Sequence, residues 1–237
     1  MARRQARFTA EDLADDQRLQ DYSPDLWSEE LGEVPRKLLT SAVRCFAKNG
    51  YHATTTRDIS VGVGLSPAAL YVHFESKELV LFEIMRAGHW QALAYVQDPA
   101  VLATDNSSDR LRAIVSRYTA WHGRHHVAAR VCQFELAALT AEHYDEILDL
   151  RHQTNAFFRD AVTRGVADGS FAPVDVKRVT RAMLSLSIDL VRWYRLDGSD
   201  SPEQLGEFYA ELALKLVAGS SNAGPQPPVP AGRIPTN

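Results

Sequence analysis

The stretch "TTTRDISVGVGLSPAALYVHFESKE", residues 54–78, has the pattern of two short helices joined by a tight turn. Thr55 and the aspartate three residues later have the spacing of a capping box at the start of the first helix. Gly64 stands where a compact turn needs a positive φ. Ser66 is placed to cap the second helix, with Pro67 at its first position. This is the plan of a helix-turn-helix, although an ordinary three-helix core fits the same periodicity equally well.

The flanking sequence supplies a helix on each side of this unit. Before it, a helical pattern begins at Pro35, which suits a first helical position, and ends at Asn49 and Gly50, which tolerate left-handed geometry. After it, Ser76 is placed to cap a helix over residues 77–96. That helix is apolar on much of its circumference, which predicts that it packs between two bodies.

The remaining sequence predicts an all-α fold with a three-helix head and a larger helical body. Residues 98–109 have the composition of a loop, and no alternating strand pattern of useful length is present. The later helix-like stretches are residues 111–122, 127–140, 144–168, 174–196 and 202–218. The predicted domains are a flexible extension (1–34) with a short helix around 8–21, the head (35–80), the body (81–218) and a disordered Pro-rich tail (219–237).

Composition and charge fit a soluble chain with a locally basic head. The 237 residues are 45% hydrophobic, and the formal net charge is −4. Residues 1–34 hold four arginines and nine acidic residues, a net charge of −5, whereas residues 35–80 hold six basic and three acidic residues, a net charge of +3. Because phosphate affinity depends on local basic groups, the acidic total does not exclude DNA.

The sequence predicts no membrane helix, no signal peptide and no disulfide framework, and redox sensing by the cysteines is the alternative to core packing. No apolar run approaches the ~18 residues of a membrane helix, and the basic start turns acidic instead of apolar, unlike a signal peptide. Two cysteines, Cys45 and Cys132, make no disulfide framework, and both sit in helical apolar patterns that predict core packing. A reducing cytoplasm is therefore expected.

The segment "LLTSAVRCFAKNGYHATTTRDISVGVGLSPAALYVHFESKELVLFEIM" resembles the DNA-binding head of the TetR family of transcriptional regulators, over residues 37–85. The resemblance implies DNA contacts from the start of the second helix, the recognition helix and the start of the helix that follows. The residues at those positions are Thr55, Thr56, Arg57, Ser66, Pro67, Ala68, Ala69, Tyr71, His73 and Lys77.

Within that set, the chemistry divides base reading from phosphate binding. Ala68 and Ala69 cannot hydrogen-bond a base, but they can contact a thymine methyl group and let the helix approach the groove floor. Arg57 is the basic side chain of this unit that could contact guanine through two hydrogen bonds. Tyr71 and His73, like Lys77, fall where the family binds phosphates. Residues 3, 4 and 7 are arginines that either add minor-groove contacts or have no role.

The weaker resemblance beyond residue 110 implies a ligand-binding body whose last two helices form a dimer. Both helices carry apolar stripes, and two such helices per subunit can pair into a four-helix interface. They could instead complete the core of a monomer. The candidate interface residues are Met183, Leu186, Leu190, Trp193, Leu205, Phe208, Leu212 and Leu216.

The C-terminal part from Leu184 is also loosely similar to TetR members linked to fatty-acyl or steroid CoA thioesters. This similarity implies a small, hydrophobic effector with an anionic head, and CoA thioesters have this chemistry. Each candidate contact is also explained by plain core packing or, for the arginine, by a solvated face. The candidates are Tyr118, Trp121, Phe134, Phe157, Phe158 and Arg192.

His122, His125 and His126 raise the alternative of a metal-dependent helical enzyme. Zinc needs three or four ligands, and no carboxylate is close in sequence, so a helix junction with solvated histidines is the favoured interpretation. The sequence has no catalytic motif, and no cofactor or metal is expected. The hypothesis is a homodimeric repressor that binds a palindromic operator in double-stranded DNA and is released by an effector. An orphan regulator without an effector is the alternative.

Overall fold

The structure, a computed structural model, describes residues 16–218, and all regular elements in this range are helical. The predicted all-α fold is therefore confirmed. The three-helix head consists of α1, α2 and α3, and α4 leads from the head into a body that contains the remaining helices. The helices are α1 (Glu33–Asn49), α2 (Thr56–Val61), α3 (Pro67–His73), α4 (Lys77–Val96), α5 (Pro99–Leu102), α6 (Ser107–Arg124), α7 (His126–Phe134), α8 (Ala141–Ala167), α9 (Val176–Asp189) and α10 (Pro202–Val217).

Local chemistry fixes the ends of the head helices largely as the sequence predicts. The Thr55 hydroxyl accepts a hydrogen bond from the Asp58 backbone N–H at 3.2 Å, and Asp58 Oδ2 accepts from the Thr55 N–H at 2.8 Å. These two bonds are the predicted capping box. Gly50 ends α1 with φ of +77°, and Gly64 gives the turn before α3 a φ of +70°.

Two details of the head differ from the sequence prediction. Helix α1 begins at Glu33, so Pro35 lies two residues inside the helix. Proline is tolerated there because the first-turn N–H groups have no partner within the helix. Ser66 occupies the cap position of α3, but its hydroxyl makes no capping hydrogen bond.

Helix α4 is the structural link between head and body. It spans the predicted residues, and Ser76 caps it by accepting from the Leu79 N–H at 2.9 Å. Its buried side chains include Val80, Leu81 and Ile84. The helix contacts α1 of the head and α6, α7 and α8 of the body. The predicted placement between two bodies is confirmed.

Residues 16–34, predicted as a flexible extension, pack against both head and body. They form three short 3-10 turns, and Leu19, Leu26 and Trp27 are buried. Trp27 Nε1 donates to Thr40 Oγ1 of α1 at 2.8 Å. Asp21 Oδ2 accepts from two backbone N–H groups at the start of α7, at 3.0 and 3.2 Å. The sequence signal is weak because these apolar residues follow no helical or strand period.

Only one turn of the helix predicted around residues 8–21 falls in the described part of the chain, at Gln17–Leu19. Residues 3, 4 and 7 of the predicted arm, and the Pro-rich tail, lie outside the described residues.

The body is a helical bundle in which α6 and α10 approach closely. Gly206 of α10 lies against α6, and a Cβ atom there would come within 2.5 Å of the Ser116 carbonyl oxygen. Three predicted segments are subdivided in the structure. The loop at 98–109 contains α5, the stretch 127–140 is a helix followed by a 3-10 turn at Leu136–Ala138, and α9 ends at Asp189. Between residues 16 and 218, no helix is long and apolar enough to cross a membrane.

Candidate DNA-binding surface, ligand cavity and dimer face

The outer surface of α3 carries most of the predicted DNA contacts. Ser66, Pro67, Ala68, Tyr71 and His73 are exposed, and Ala69 is half-buried. The Tyr71 hydroxyl lies 3.3 Å from the Thr56 hydroxyl of α2, so the two helices bring a pair of exposed hydroxyl groups together. Hydroxyls can donate to phosphate oxygens, and this pair suits the predicted backbone contact.

Val72 is a surface residue that the sequence analysis missed. It is 78% exposed, although its side chain is apolar. It lies one helical turn after Ala68, and both residues face solvent. An apolar pair on the outside of a reading helix can contact thymine methyl groups. The signal in the sequence was the i, i+4 spacing of these two residues on the face opposite the buried Leu70.

Two predicted contact residues of α2 have roles inside the head. The Thr55 hydroxyl also donates to Asp58 Oδ2 at 2.7 Å and so belongs to the capping box. Arg57 is half-buried, and its Nε is shielded from solvent without a hydrogen bond to a described residue. Part of this side chain therefore packs against the head. Contacts of Thr55 and Arg57 with DNA stay predictions.

Lys77 has an intramolecular role that differs from the predicted phosphate contact. Its Nζ donates to the carbonyl oxygens of Tyr51 at 2.8 Å and Thr54 at 2.7 Å, and it lies 4.1 Å from the centre of the Tyr51 ring. Burial lowers the pKa of this ammonium group. The side chain thus fastens the start of α4 to the turn between α1 and α2. A lysine in the first turn opposes the helix dipole, and this mismatch was the available sequence signal.

A cavity of about 290 Å³ lies in the body between α4, α6, α7, α8 and α9. Two of the predicted ligand residues, Tyr118 and Trp121, line it. Phe158 is fully buried behind Tyr118, with the two rings edge to face and their centres 5.1 Å apart. Phe157 is half-buried and packs on the core without lining this cavity. The apolar lining includes Ala92, Ala129, Leu184 and Ile188, and the polar lining includes His89, His122, Gln133, Arg151, Thr154 and Asn155.

The other two predicted ligand residues lie at an adjoining depression of about 330 Å³. Phe134 and Arg192 line it, and both are exposed. Arg151 and Arg181 also line this depression, so three guanidinium groups surround one opening. The cavity and the depression share lining residues on α7, α8 and α9, among them Arg151. The cavity therefore continues into a depression with three arginines and one carboxylate, that of Asp189, whose Oδ1 lies 3.8 Å from Arg192 Nε.

The three histidines of the proposed metal cluster are buried, which corrects the interpretation as a solvated junction. Burial lowers the pKa of His122 to about 4, and burial also lowers the pKa values of His125 and His126. His122 faces the cavity, whereas the other two lie next to the packed segment around Asp21. No group of three or more metal-ligating side chains occurs between residues 16 and 218. This burial could not be predicted from the sequence because the segment around Asp21, which packs beside His125 and His126, is distant from them along the chain.

Both cysteines are buried and unpaired, as the apolar patterns predict. Burial raises the pKa of each thiol to about 12, so neither is a reactive thiolate at neutral pH.

The predicted dimer face divides into an inner and an outer half. Met183, Leu190 and Leu205 are buried within the chain and belong to the core of the subunit. These three therefore fit the alternative of a completed monomer core. The reason is that α9 and α10 turn one side of each apolar stripe toward α6. Leu212 is half-buried, and the exposed members are Leu186, Trp193, Phe208 and Leu216.

The arrangement defines a class of protein: a helix-turn-helix DNA-binding head joined by one helix to a helical, cavity-bearing body. Comparisons with known proteins agree with this class. Residues 38–84 match the family model described as "Bacterial regulatory proteins, tetR family", and residues 104–217 match the one described as "Tetracyclin repressor-like, C-terminal domain". The chain belongs to the TetR family of DNA-binding transcriptional regulators.

Individual relatives support the same assignment. The chain is 32% identical over 180 residues to the HTH-type transcriptional repressor KstR2 of Mycobacterium tuberculosis, covering 75% of this chain and 90% of the relative. The solved structure of that ketosteroid transcriptional regulator has a TM-score of 0.74 at 30% identity, covering 80% of this chain and 97% of the other. A TetR-family regulatory protein from Rhodococcus RHA1 has a TM-score of 0.73 at 34% identity, covering 80% and 100%. These relatives are transcription regulators.

Proposed function

We propose that the protein is a homodimeric transcriptional repressor that a small apolar effector with an anionic head releases from a palindromic operator. The observation that carries this proposal is the double role of α4. Its first residue, Lys77, is hydrogen-bonded to the head, and its later residues Gly88, His89 and Ala92 line the body cavity. A molecule in the cavity therefore contacts the same rigid element that holds the DNA-binding head.

The chemistry of the cavity and of the adjoining depression supports the proposed effector class. The inner cavity is of a size that small-molecule sites have, and its apolar walls favour a hydrocarbon group. The adjoining opening, with Arg151, Arg181 and Arg192, suits phosphate or carboxylate groups, which guanidinium binds through paired hydrogen bonds. A CoA thioester combines both parts. The relative described as a ketosteroid regulator supports an apolar ligand.

Exposed apolar side chains on the last two helices and in the turn between them support a dimer. Phe208 is 59% exposed and Trp193 is 53% exposed, and Leu186 and Leu216 are exposed as well. Leu186 and Leu216 line the same small depression, and an exposed apolar patch marks an interaction face. A symmetric pair would present two heads to the two halves of a palindromic site. Because its operator lies on the chromosome, such a regulator acts in the cytoplasm.

The proposed switch is a shift between two separations of the two heads. A ligand shifts this equilibrium only if it binds one state better than the other. Binding between α4 and the other cavity helices favours the state in which α4 is displaced, and the anchored head moves with it. The heads then no longer match the spacing of the half-sites, while the dimer contacts on α9 and α10 are unchanged.

The test begins with selection of genomic fragments that the purified protein binds, which yields an operator. Candidate effectors, chosen from the genes beside that operator, are then titrated into the complex. We expect release of DNA without dissociation of the dimer, and an Ala92→Phe variant, which narrows the cavity, should bind operator but resist release. Release that leaves the measured head spacing unchanged contradicts the mechanism. If no compound releases DNA, the body serves only as a dimeriser.

A further inference from the structure

Two histidines on different helices line the body cavity, and each has its tautomer fixed by its own helix. His89 Nδ1 lies 2.9 Å from the Met85 carbonyl oxygen, and His122 Nδ1 lies 2.8 Å from the Tyr118 carbonyl oxygen. A carbonyl oxygen only accepts hydrogen bonds, so each Nδ1 must carry the hydrogen. In a neutral ring the other nitrogen, Nε2, is then an acceptor with a free lone pair.

Both imidazoles are neutral at ordinary pH. Burial, with a smaller contribution from the nearby Arg151 guanidinium, lowers the pKa of His89 to about 4. Burial lowers the pKa of His122 to about 4 as well, with smaller contributions from the two neighbouring imidazoles at 89 and 125. A second proton, which would turn Nε2 into a donor, is therefore excluded near pH 7. The cavity presents lone pairs at these two places.

Neither Nε2 makes a hydrogen bond to a residue in the described part of the chain. Each lies on the ring edge opposite the nitrogen bound to its own helix, and both residues border the cavity. His122 is only 6% exposed, but neither Nε2 is among the fully shielded polar atoms, so a water-sized molecule can reach both nitrogens. A ligand that reaches these nitrogens displaces water from them, and it loses affinity unless it supplies a hydrogen-bond donor in place of that water.

The donor side chains Gln133, Arg151 and Asn155 also line the adjoining depression, so they lie at that end of the cavity, and the remaining polar groups of the inner wall do not supply an unpaired donor that excludes an alcohol. Thr154 uses its hydroxyl hydrogen on the Leu150 carbonyl oxygen at 3.0 Å, which leaves an acceptor. The Trp121 indole N–H is shielded and does not reach the cavity surface. The Tyr118 hydroxyl can donate or accept. A ligand hydroxyl fits this wall because it donates to an imidazole and still accepts from tyrosine, whereas a ketone can only accept.

We propose that the effector carries a hydrogen-bond donor, a hydroxyl group, on its apolar part, and that His89 and His122 select it. This inference rests on the proposed function, because it assumes that the cavity takes an effector. The two histidines are specificity-determining residues: they distinguish an alcohol from the ketone of the same skeleton.

The test uses 4-tert-butylcyclohexanol and 4-tert-butylcyclohexanone, a matched alcohol and ketone small enough for the cavity. Binding to the full-length protein is measured by calorimetry, and operator release is measured in parallel. We expect the alcohol to bind at least about tenfold more tightly, because the ketone leaves imidazole lone pairs unpaired. The ratio of the two affinities, not either affinity alone, is the readout.

Three variants test whether the two histidines cause the preference for the alcohol. His122→Gln places an amide near the position of Nε2, and its N–H can serve a ketone, so the ratio should fall toward one. His89→Gln should act in the same direction. His152→Gln is the control, since His152 also lines the cavity but is exposed. Its ratio should match that of the parent. Because each variant is judged by a ratio, a general loss of affinity does not imitate the effect.

The outcomes separate this inference from the proposed function. Alcohol preference that falls in both glutamine variants and persists in His152→Gln supports the inference. Equal binding of both compounds with release of operator leaves the proposed function standing and overturns the inference. Alcohol preference that survives both glutamine variants also overturns it. If neither compound binds the parent protein, the inference fails, whereas the proposed function, whose effector also carries an anionic head, is decided by the effector titration.

Discussion

Replacing Lys77 with methionine tests whether this residue stabilises the fold or binds DNA. The substitution keeps the length of the side chain and removes its ammonium group. Two hydrogen bonds are lost, to the carbonyl oxygens of Tyr51 at 2.8 Å and Thr54 at 2.7 Å, together with the contact over the Tyr51 ring. The anchor between α4 and the head then depends on packing alone.

The size of the effect follows from those three contacts. A hydrogen bond from a charged donor contributes about 1.5–3 kcal/mol, and the cation–ring contact contributes about 0.5–1 kcal/mol at an exposed site. Lys77 is only half-buried, so the lower ends of these ranges apply, about 3.5 kcal/mol in all, and the variant recovers part of this loss because methionine has no charge to desolvate. We expect the free energy of unfolding to fall by about 2–4 kcal/mol.

Urea denaturation followed by circular dichroism measures that loss, with Lys37→Met as the control. Lys37 pairs with Glu33 on the exposed side of α1, so its loss should change the free energy of unfolding by less than about 0.5 kcal/mol. Operator affinity is then measured against salt concentration. An internal anchor leaves the salt slope unchanged, whereas a phosphate contact in each subunit of a dimer lowers it by about two. Unchanged stability with a shallower slope would refute the anchor.

Three further predictions concern pH, assembly and DNA reading. The folded-state pKa values of His89 and His122 are lowered to about 4, against about 6.5 in the unfolded chain, so the unfolded state binds more protons between these pH values. The free energy of unfolding should fall by on the order of 3 kcal/mol per histidine as the pH drops from 6.5 to 4. A variant that carries both His89→Gln and His122→Gln, denatured at pH 7 and at pH 4.5, should lack this part of the decline. An equal decline in the double variant would contradict the assignment. Phe208→Asp should shift the protein to monomers in sedimentation at micromolar concentration. Phe134→Asp is the control, because Phe134 is a similarly exposed phenylalanine outside the proposed interface, and it should leave the protein dimeric. If both variants stay dimeric, the interface does not include Phe208 of α10. Arg57→Ala should cost about 1–3 kcal/mol of operator affinity and relax one base position in a selection experiment, and an equal loss on random DNA counts against base reading.

The head shows which parts of this protein can be predicted from sequence. Its capping box at Thr55, its left-handed glycines and the serine cap at Ser76 each depend on residues within four positions of one another. Such short-range hydrogen bonds and backbone preferences act in the same way in any context, so their spacing is visible in the sequence. The apolar circumference of α4 is also a local property, and it correctly predicted a helix packed between two bodies.

The anchor of the DNA-binding head and the body cavity depend on contacts between residues that are distant along the chain. Lys77 meets carbonyls 23 and 26 positions earlier, and the carboxylate of Asp21 lies more than 100 positions before the helix start it caps. His122 looked solvated in the sequence because nothing near it indicates the helices that cover it. Periodicity describes one helix and does not identify its neighbours.

The sequence by itself determined the class of protein, because the helix-turn-helix and the family resemblance depend on the spacing of residues that are close together in the chain. The tertiary structure decided which side of each apolar stripe is core and which is surface, as Met183 and Leu186 show on a single helix. It also decided that two neutral imidazoles share one cavity. The physical reason is that burial, pKa and hydrogen-bond partners depend on what surrounds a side chain, and packing between distant segments supplies those surroundings.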